Sequence, residues 1–459
     1  METGGALMPD LPLNSLARFL ASMDETVIPP EVQSQAALVV LDTFGVILGG
    51  SRESEVDRLV RRVRDIAPDE KATLFARGFP KTGAVWASFI NGTAGTFLEL
   101  DEGHRPTGHP GIHVVPAAFA LGETLAVSGK RFLSAVILGY DVAARLSAAC
   151  RLRRGIHPHG TLGTVGAATA CGKLLGFKKK EFGEVLSLSA SLALASPTRA
   201  CIEGATVRNS YAGVGAQLGI QAALLVDSGF TGLGGGLAET FGALIGSDFD
   251  PAPLADALGA PYAITQNYFK FHACCAYNHP ALDAVGSIQA RRPIDPEAVD
   301  RIEIRTIAPF AGIDQKHPTN QLAAKFSIPY AVAAALLYRT TGAEAFRDSA
   351  VRNPRVRHLA DRVTVTADAS LTARWPRESP TEVSIHLRGG EQVSGICTNP
   401  RGYYENPCSR GEIERKFLGL AEEVLAAAQA VEACATILSL GEAGDLNAVT
   451  RRLRALSAR

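Results

Sequence analysis

Residues 89–123 constrain the chain more than any other stretch, because they crowd ionisable groups between two apolar segments. Glu99, Asp101, Glu102, His104, Arg105, His109 and His113 fall within fifteen positions. The flanking segments are apolar enough to be buried helices, and a loop held between such helices fixes its side chains while their tips stay open to a cavity. Gly103, Pro106, Gly108, Pro110 and Gly111 forbid a continuous helix through the cluster, since proline lacks a donor and glycine admits left-handed turns. The charges are therefore expected on irregular backbone. A solvated acidic loop would have the same composition. Against that stands a second cluster, Arg151, Arg153, Arg154, His157, His159 and Thr161, which opens a glycine- and alanine-rich helix expected to end at Leu175. The N–H groups of that helix start, with Thr161 beside them and three arginines upstream, suit a carboxylate or phosphate. A capped surface turn is the alternative.

At 459 residues the chain is too long for one ordinary core, which points to two domains. Lys plus Arg (46) equals Asp plus Glu (46), so no global field draws the protein to nucleic acid or to an anionic membrane. Neither partner is expected. The first ten residues lack the basic start and apolar core of a secretory signal, and the most apolar helix candidate, residues 36–49, is broken by Asp42 and too short to span a bilayer. A cytoplasmic location is expected. The eight cysteines include no pair separated by two residues, so they read as reduced thiols rather than zinc ligands, disulfides or an iron–sulfur set.

Apolar periodicity predicts helices over residues 16–50, with Pro29 and Pro30 opening the second and Gly49 and Gly50 ending it. Further helices are expected over 53–66, 80–98, 114–127, 131–150, 180–195 and 210–228, and 72–76 reads as a short strand or extended chain. Small residues over 163–172 and 213–223 suit closely packed helices. The glycines of 229–242 lack a following Lys-Ser/Thr, so they do not form a nucleotide loop. Composition shifts near Pro261. A helix over 279–290 is followed by strand alternation over 299–307, 363–367, 382–388 and 392–397, the last two joined as a hairpin through Gly389 and Gly390. A helix is predicted over 328–338, and helices return over 410–428, 433–440 and 444–456. The expected fold is mainly α: a large all-helical domain from residues 1–262 and 409–459, with a smaller α+β unit, 263–408, inserted between them.

Asn91-Gly92 before the acidic cluster, Gly108-His109-Pro110, Val115-Pro116-Ala117-Ala118, Gly155-Ile156-His157-Pro158, Gly229-Phe230-Thr231-Gly232 and Ala324-Lys325-Phe326-Ser327-Ile328-Pro329-Tyr330 together resemble the MmgE/PrpD family. That family includes 2-methylcitrate dehydratase, cis-aconitate decarboxylase and iminodisuccinate epimerase. The resemblance implies a helical domain with an α+β lid, a homodimer, and a pocket between the domains that works without metal or other cofactor. By position it implies site residues at Glu99, Asp101 and Glu102, at His109 and His157, at the lid histidine His279 with Lys270 before it, and at Lys325 and Tyr330. Two positions depart from the family pattern. Glu-Leu-Asp-Glu stands where better-known members have Asp-x-Asp-Asp, and Arg208 stands where related members have a lysine. An arginine keeps the charge and can clamp a carboxylate, but it cannot donate a proton at neutral pH.

Elimination, decarboxylation and epimerisation of a polycarboxylate all place transient negative charge on a carbon beside a carboxylate, which demands cations and an acid–base pair. On this reading His109 and His157 transfer protons, and Glu99 or Asp101 orients a histidine or acts as base. His279 closes the site from the lid, while Thr161, Arg208, Lys270, Lys325 and Tyr330 bind substrate carboxylates. His279 could instead form a helix-surface pair with Asp283, four residues on, and Tyr330 could be core. His104 and His113 read as loop or packing residues, and His159 is left open. The expected activity is a cofactor-independent lyase on a small di- or tricarboxylate, 2-methylcitrate dehydratase-like. An epimerase, a decarboxylase and a silent carboxylate-binding protein are the alternatives, with a metal-dependent hydrolase behind them.

Overall fold

Proline and glycine set helix boundaries where the sequence places them. In the computed structural model, which describes residues 11–457, helix α1 (Leu11–Ser22) leads to α2 (Pro30–Gly50), whose first turn holds Pro30 and whose end is the Gly49-Gly50 pair. Val56, Val60 and Val63 form the buried stripe of α3 (Ser54–Ile66), and charged residues cover its other face. Then come α4 (Ala84–Phe97), α5 (Pro110–Thr124), α6 (Gly129–Ala149), α7 (Leu162–Leu175), α8 (Lys179–Ser191) and α9 (Tyr211–Asp227). Two ribbons, β1 (Ala72–Thr73) with β2 (Lys81–Thr82) and β3 (Cys150–Leu152) with β4 (Gly246–Phe249), brace this bundle.

In the bundle α7 packs against α5, α6 and α9, and α4 against α5 and α9. Small residues decide how near the axes come. A Cβ on Gly213 would lie 2.2 Å from the Phe89 carbonyl oxygen, and one on Gly92 would lie 2.7 Å from the Gly213 Cα. The α4 and α9 backbones therefore touch, and α4 is held rigidly up to its C-terminal end. Helix α5 starts four residues earlier than expected, because Pro110 takes its first turn, so His113 sits on the helix and not on irregular backbone. Helix α2 keeps its expected boundaries, but with 21 residues the whole helix is long enough to cross a membrane, although its apolar stretch 36–49 reads as too short. The apolar surfaces of α2 and α6, 72% and 89% buried over their most apolar windows, lie in the core instead.

The architecture is mainly α with small sheets. The largest sheet is β5 (Val299–Thr306), β6 (Val363–Ala367), β7 (Thr381–Leu387) and β8 (Gln392–Cys397), in the order β6-β5-β7-β8. Helix α10 (His279–Arg291) covers β7 and β8, while α11 (Ile328–Tyr338) packs on α10 and α12 (Pro354–Asp361). The β5–β6 pairing is parallel and the other two are antiparallel. The helix expected over 410–428 ends earlier, as α13 (Arg410–Ala421), and the one expected over 433–440 starts earlier, as α14 (Ala427–Leu438); both pack on α2, and α15 (Leu446–Ser457) contacts α5.

Gly213→Ala forces the α4 and α9 backbones apart and should lower stability by about 1–3 kcal/mol in urea unfolding. Gly183→Ala, on α8 with open space around its missing Cβ, should be neutral or stabilise by up to about 1 kcal/mol.

Candidate active site

The C-terminal end of α4 is gripped by buried cations. Arg208 Nη1 donates to the Thr96 carbonyl at 3.4 Å, Lys325 Nζ to Phe97 at 2.7 Å, Lys270 Nζ to Glu99 at 3.3 Å and Lys416 Nζ to Leu100 at 2.7 Å. A helix C-terminus carries unpaired carbonyls and partial negative charge, so cations there satisfy both. Glu99 itself has φ +55°, a left-handed conformation that is unfavourable for a residue with a Cβ and persists because the surrounding contacts fix it.

The same cations hold the acidic side chains. Arg208 Nη1 is in direct contact with Glu99 Oε1, and Lys270 Nζ lies 3.6 Å from both Glu99 Oε2 and Asp101 Oδ1. Lys416 pairs with the buried Asp42 at 2.6 Å. Burial alone would raise the Asp101 carboxyl, but Lys270 and His109 outweigh it and hold it well below the ordinary range. For Lys270 burial is again the largest opposing effect, and Asp101 and Glu99 overcome it to keep the ammonium charged. Glu102 differs: burial pushes it up to about 8, although Tyr140 Oη and the Gly111 N–H each lie 2.7 Å from its carboxyl oxygens. It is the neutral member of the acidic cluster.

Four histidine rings gather around Asp101. His109 Nδ1 is 3.0 Å from Asp101 Oδ2 and 2.8 Å from the Glu102 carbonyl, which leaves Nε2 as the unengaged ring nitrogen. His159 Nε2 is 3.6 Å from the same Asp101 oxygen, and its ring meets those of His109 and His157 edge-on at 4.6 and 4.8 Å. The His157 Nδ1 accepts the His159 backbone N–H at 3.0 Å, so in the neutral ring the proton is on Nε2. His113 Nδ1 donates to the His109 carbonyl and Nε2 accepts the Gly160 N–H, fastening α5 to the second cluster. Burial first, then the Arg208 charge, holds His157 and His159 well below the ordinary imidazole value, and burial lowers His113 to about 4. These three rings are neutral at pH 7.

A cavity of about 750 Å³ opens onto this cluster, and Glu99, His104, His109, His157 and Arg208 are in its wall. Asp101 and Lys270 lie directly behind, fully buried. A second cavity of about 780 Å³, lined by His272, Asp283, Arg339 and Arg401, is slightly larger, but neither cluster reaches it.

Four expected site residues do not line the cavity. The Thr161 hydroxyl turns back to the Pro158 carbonyl, and Lys325 is occupied at the end of α4. Tyr330 is core, its hydroxyl on the Ala345 carbonyl at 2.7 Å. His279 is fully buried with Nε2 3.2 Å from the Cys274 carbonyl. Its expected surface partner Asp283 instead takes His272 Nε2 at 3.0 Å, while His279 is buried with Pro280 and Ala281 at the helix start. The sequence leaves His159 open and reads His104 as a loop or packing residue, while the resemblance already implies Glu102; the structure places His159 against Asp101 and His104 in the cavity wall. The spacing of His159, two residues after His157, was the available signal, whereas Tyr140, which fixes Glu102, had none. Ligand atoms of Asp101, His109 and His159 lie within 4.8 Å of one another, a spacing that could bridge a cation. Lys270 and Arg208 already supply positive charge there and would repel a dication.

A model of the MmgE/PrpD N-terminal domain matches residues 14–246, and one of the MmgE/PrpD C-terminal domain matches residues 272–440. The chain is 24% identical to the cis-aconitate decarboxylase-like protein oryM of Aspergillus oryzae, over 94% of this chain and 95% of that one. It is 25% identical to cis-aconitate decarboxylase of Mus musculus, over 91% and 88% respectively. To cis-aconitate decarboxylase of Aspergillus terreus it is 24% identical over 95% and 94%.

Arg208→Met leaves Glu99 buried without its closest cation and should cost about 3–5 kcal/mol in urea unfolding, with Glu99→Gln in the same chain recovering part of the loss. Glu102 holds its proton in the folded state to about 8, whereas the unfolded chain releases it near 4.5. Between those values the folded state binds the extra proton, so this group's contribution to stability falls as pH rises and levels off above the folded pKa. Glu102→Gln mimics the protonated acid. Unfolding measured across that window should show wild type losing up to about 1.4 kcal/mol per pH unit relative to the variant.

Proposed function

The chain belongs to the MmgE/PrpD family, and from that premise we propose that it is a lyase acting on a di- or tricarboxylate at a carbon next to a carboxylate. The observation that carries this reading is the meeting, in one cavity wall, of a guanidinium with two imidazoles, one of them backed by a carboxylate. The Arg208 guanidinium lines the cavity and is a donor available to a substrate carboxylate. His109, oriented by Asp101 at 3.0 Å, presents Nε2 for proton transfer, and His157 presents a second imidazole.

Decarboxylation is the first branch, because the curated relatives carry that name. The bond from carbon to one carboxylate breaks, carbon dioxide leaves, the electron pair stays on the substrate, and a histidine returns a proton to carbon. Cations at the remaining carboxylates lower the energy of that anion. Dehydration of the 2-methylcitrate kind is the second branch, favoured by the two histidines in the wall. One can take the α-proton while the other protonates the departing hydroxide as water. On either branch the sheet-bearing unit, which brings Tyr277, Phe310 and Trp375 to the cavity, closes over the substrate as a lid.

Proton NMR in deuterium oxide, with citrate, 2-methylcitrate, cis-aconitate, malate and iminodisuccinate supplied separately, tests this reading without a prior choice of branch. Deuterium at a carbon next to a carboxylate, or a new vinyl signal, is expected. His109→Ala and His157→Ala should each slow it by about 10²–10⁴-fold. Silence across the panel, with saturation-transfer signals still reporting carboxylate binding, would make the protein a binder and not a lyase.

A further inference from the structure

The cavity wall holds a hydroxyl that the fold positions and then leaves unused. Tyr268 lines the cavity with Glu99, His109, His157 and Arg208, and it precedes Lys270 by two residues. Its backbone pairs both ways with Gly103: the Gly103 N–H donates to the Tyr268 carbonyl at 3.0 Å, and the Tyr268 N–H donates to the Gly103 carbonyl at 2.8 Å. Its ring stacks on Tyr403 with centroids 4.5 Å apart and planes 11° from parallel, and it meets the His109 ring edge-on at 6.3 Å. Those contacts fix the ring without using the hydroxyl. A Cβ on Gly103 would come 2.3 Å from Tyr268 Oη, so glycine at 103 leaves Oη its place beside the acidic cluster. Only 7% of Tyr268 is exposed, yet Oη has no hydrogen-bond partner among the described residues. A buried phenol hydroxyl ordinarily finds a partner, because leaving it unpaired is costly. Phenylalanine would give the same stacking without that cost, so the hydroxyl points to a partner that enters the cavity. Burial above all pushes the phenol well above its ordinary value, which keeps it a donor at pH 7.

We propose that Tyr268 is a further catalytic residue, whose hydroxyl donates a hydrogen bond to the substrate carboxylate next to the reacting carbon. The inference rests on the lyase reading above. When the α-proton or carbon dioxide leaves, the electron pair left on carbon spreads into that carboxylate, and its oxygens gain charge. A donor already in place meets the charge as it develops. No bond to Tyr268 forms or breaks, and its proton stays on Oη. Its edge-on contact with His109 puts the donor beside the ring that moves the substrate proton.

Tyr268→Phe in the full chain removes the hydroxyl and keeps the stack. With whichever acid of the panel above reacts, its kcat should fall about 10²–10³-fold while KM moves less than about threefold, since the donor acts on charge that the ground state lacks. A second measurement needs no turnover. The nitronate form of 3-nitropropionate mimics the intermediate, with the electron pair of its deprotonated carbon spread onto the nitro oxygens, whereas succinate mimics the ground state. By calorimetry the wild type should prefer the nitronate over succinate by at least about 10²-fold, and Tyr268→Phe should lose most of that preference. An unchanged kcat in folded Tyr268→Phe, or a rise in KM alone, would overturn the donor and leave the lyase reading intact. A nitronate preference that depends on Tyr268, with no turnover of any acid, would uphold the donor and overturn the lyase reading. Absence of both turnover and nitronate preference in the wild type would overturn both.

Discussion

Everything at the site depends on the charge network around the C-terminal end of α4. Arg208, Lys270, Lys325 and Lys416 reach it from segments far apart in sequence, and together they meet four backbone carbonyls and the carboxylates of Asp42, Glu99 and Asp101. A buried ion pair contributes little net stability, because desolvation offsets the Coulomb gain. Its value here is positional. The network can form only when the sheet-bearing unit, α13 and the bundle are all in place, and it then fixes Glu99 in a left-handed conformation and Asp101 against the histidines.

That geometry sorts chemically similar side chains into different roles. Three carboxyls sit within four positions, yet Asp101 is held ionised by Lys270 and His109 while Glu102, beside Tyr140, keeps its proton. Among the histidines, His113 uses both ring nitrogens to tie α5 to the loop before α7 and has none left for chemistry. His109 keeps Nε2 free of both its contacts, and His157 faces the cavity with one nitrogen unengaged.

Much of this was legible because punctuation is local. Pro30 with Gly49-Gly50, and the alternation of 363–367, fix α2 and β6 to the residue, since helix starts, helix ends and strand faces follow from a few neighbouring side chains. The α5 start was misplaced because apolar periodicity ignores proline's preference for a first turn. Parallel pairing of β5 with β6 leaves no mark on either strand. The neighbours of motif residues were not legible: Lys325 meets the end of α4 and the Tyr330 hydroxyl meets the Ala345 carbonyl, because a motif records that a residue matters and not which neighbour it meets. His159 was left open because two histidines separated by one residue differ in role only through the tertiary contacts each ring makes.

The central claim is that substrate carboxylate and reacting carbon sit between Arg208 and His109. A crystal structure of the protein with a bound, slowly reacting tricarboxylate tests it most directly. The account predicts a carboxylate oxygen at hydrogen-bond distance from the Arg208 guanidinium and the carbon next to it facing His109 Nε2. A ligand seated instead in the cavity of His272 and Arg401, with the α4 end untouched, would contradict it.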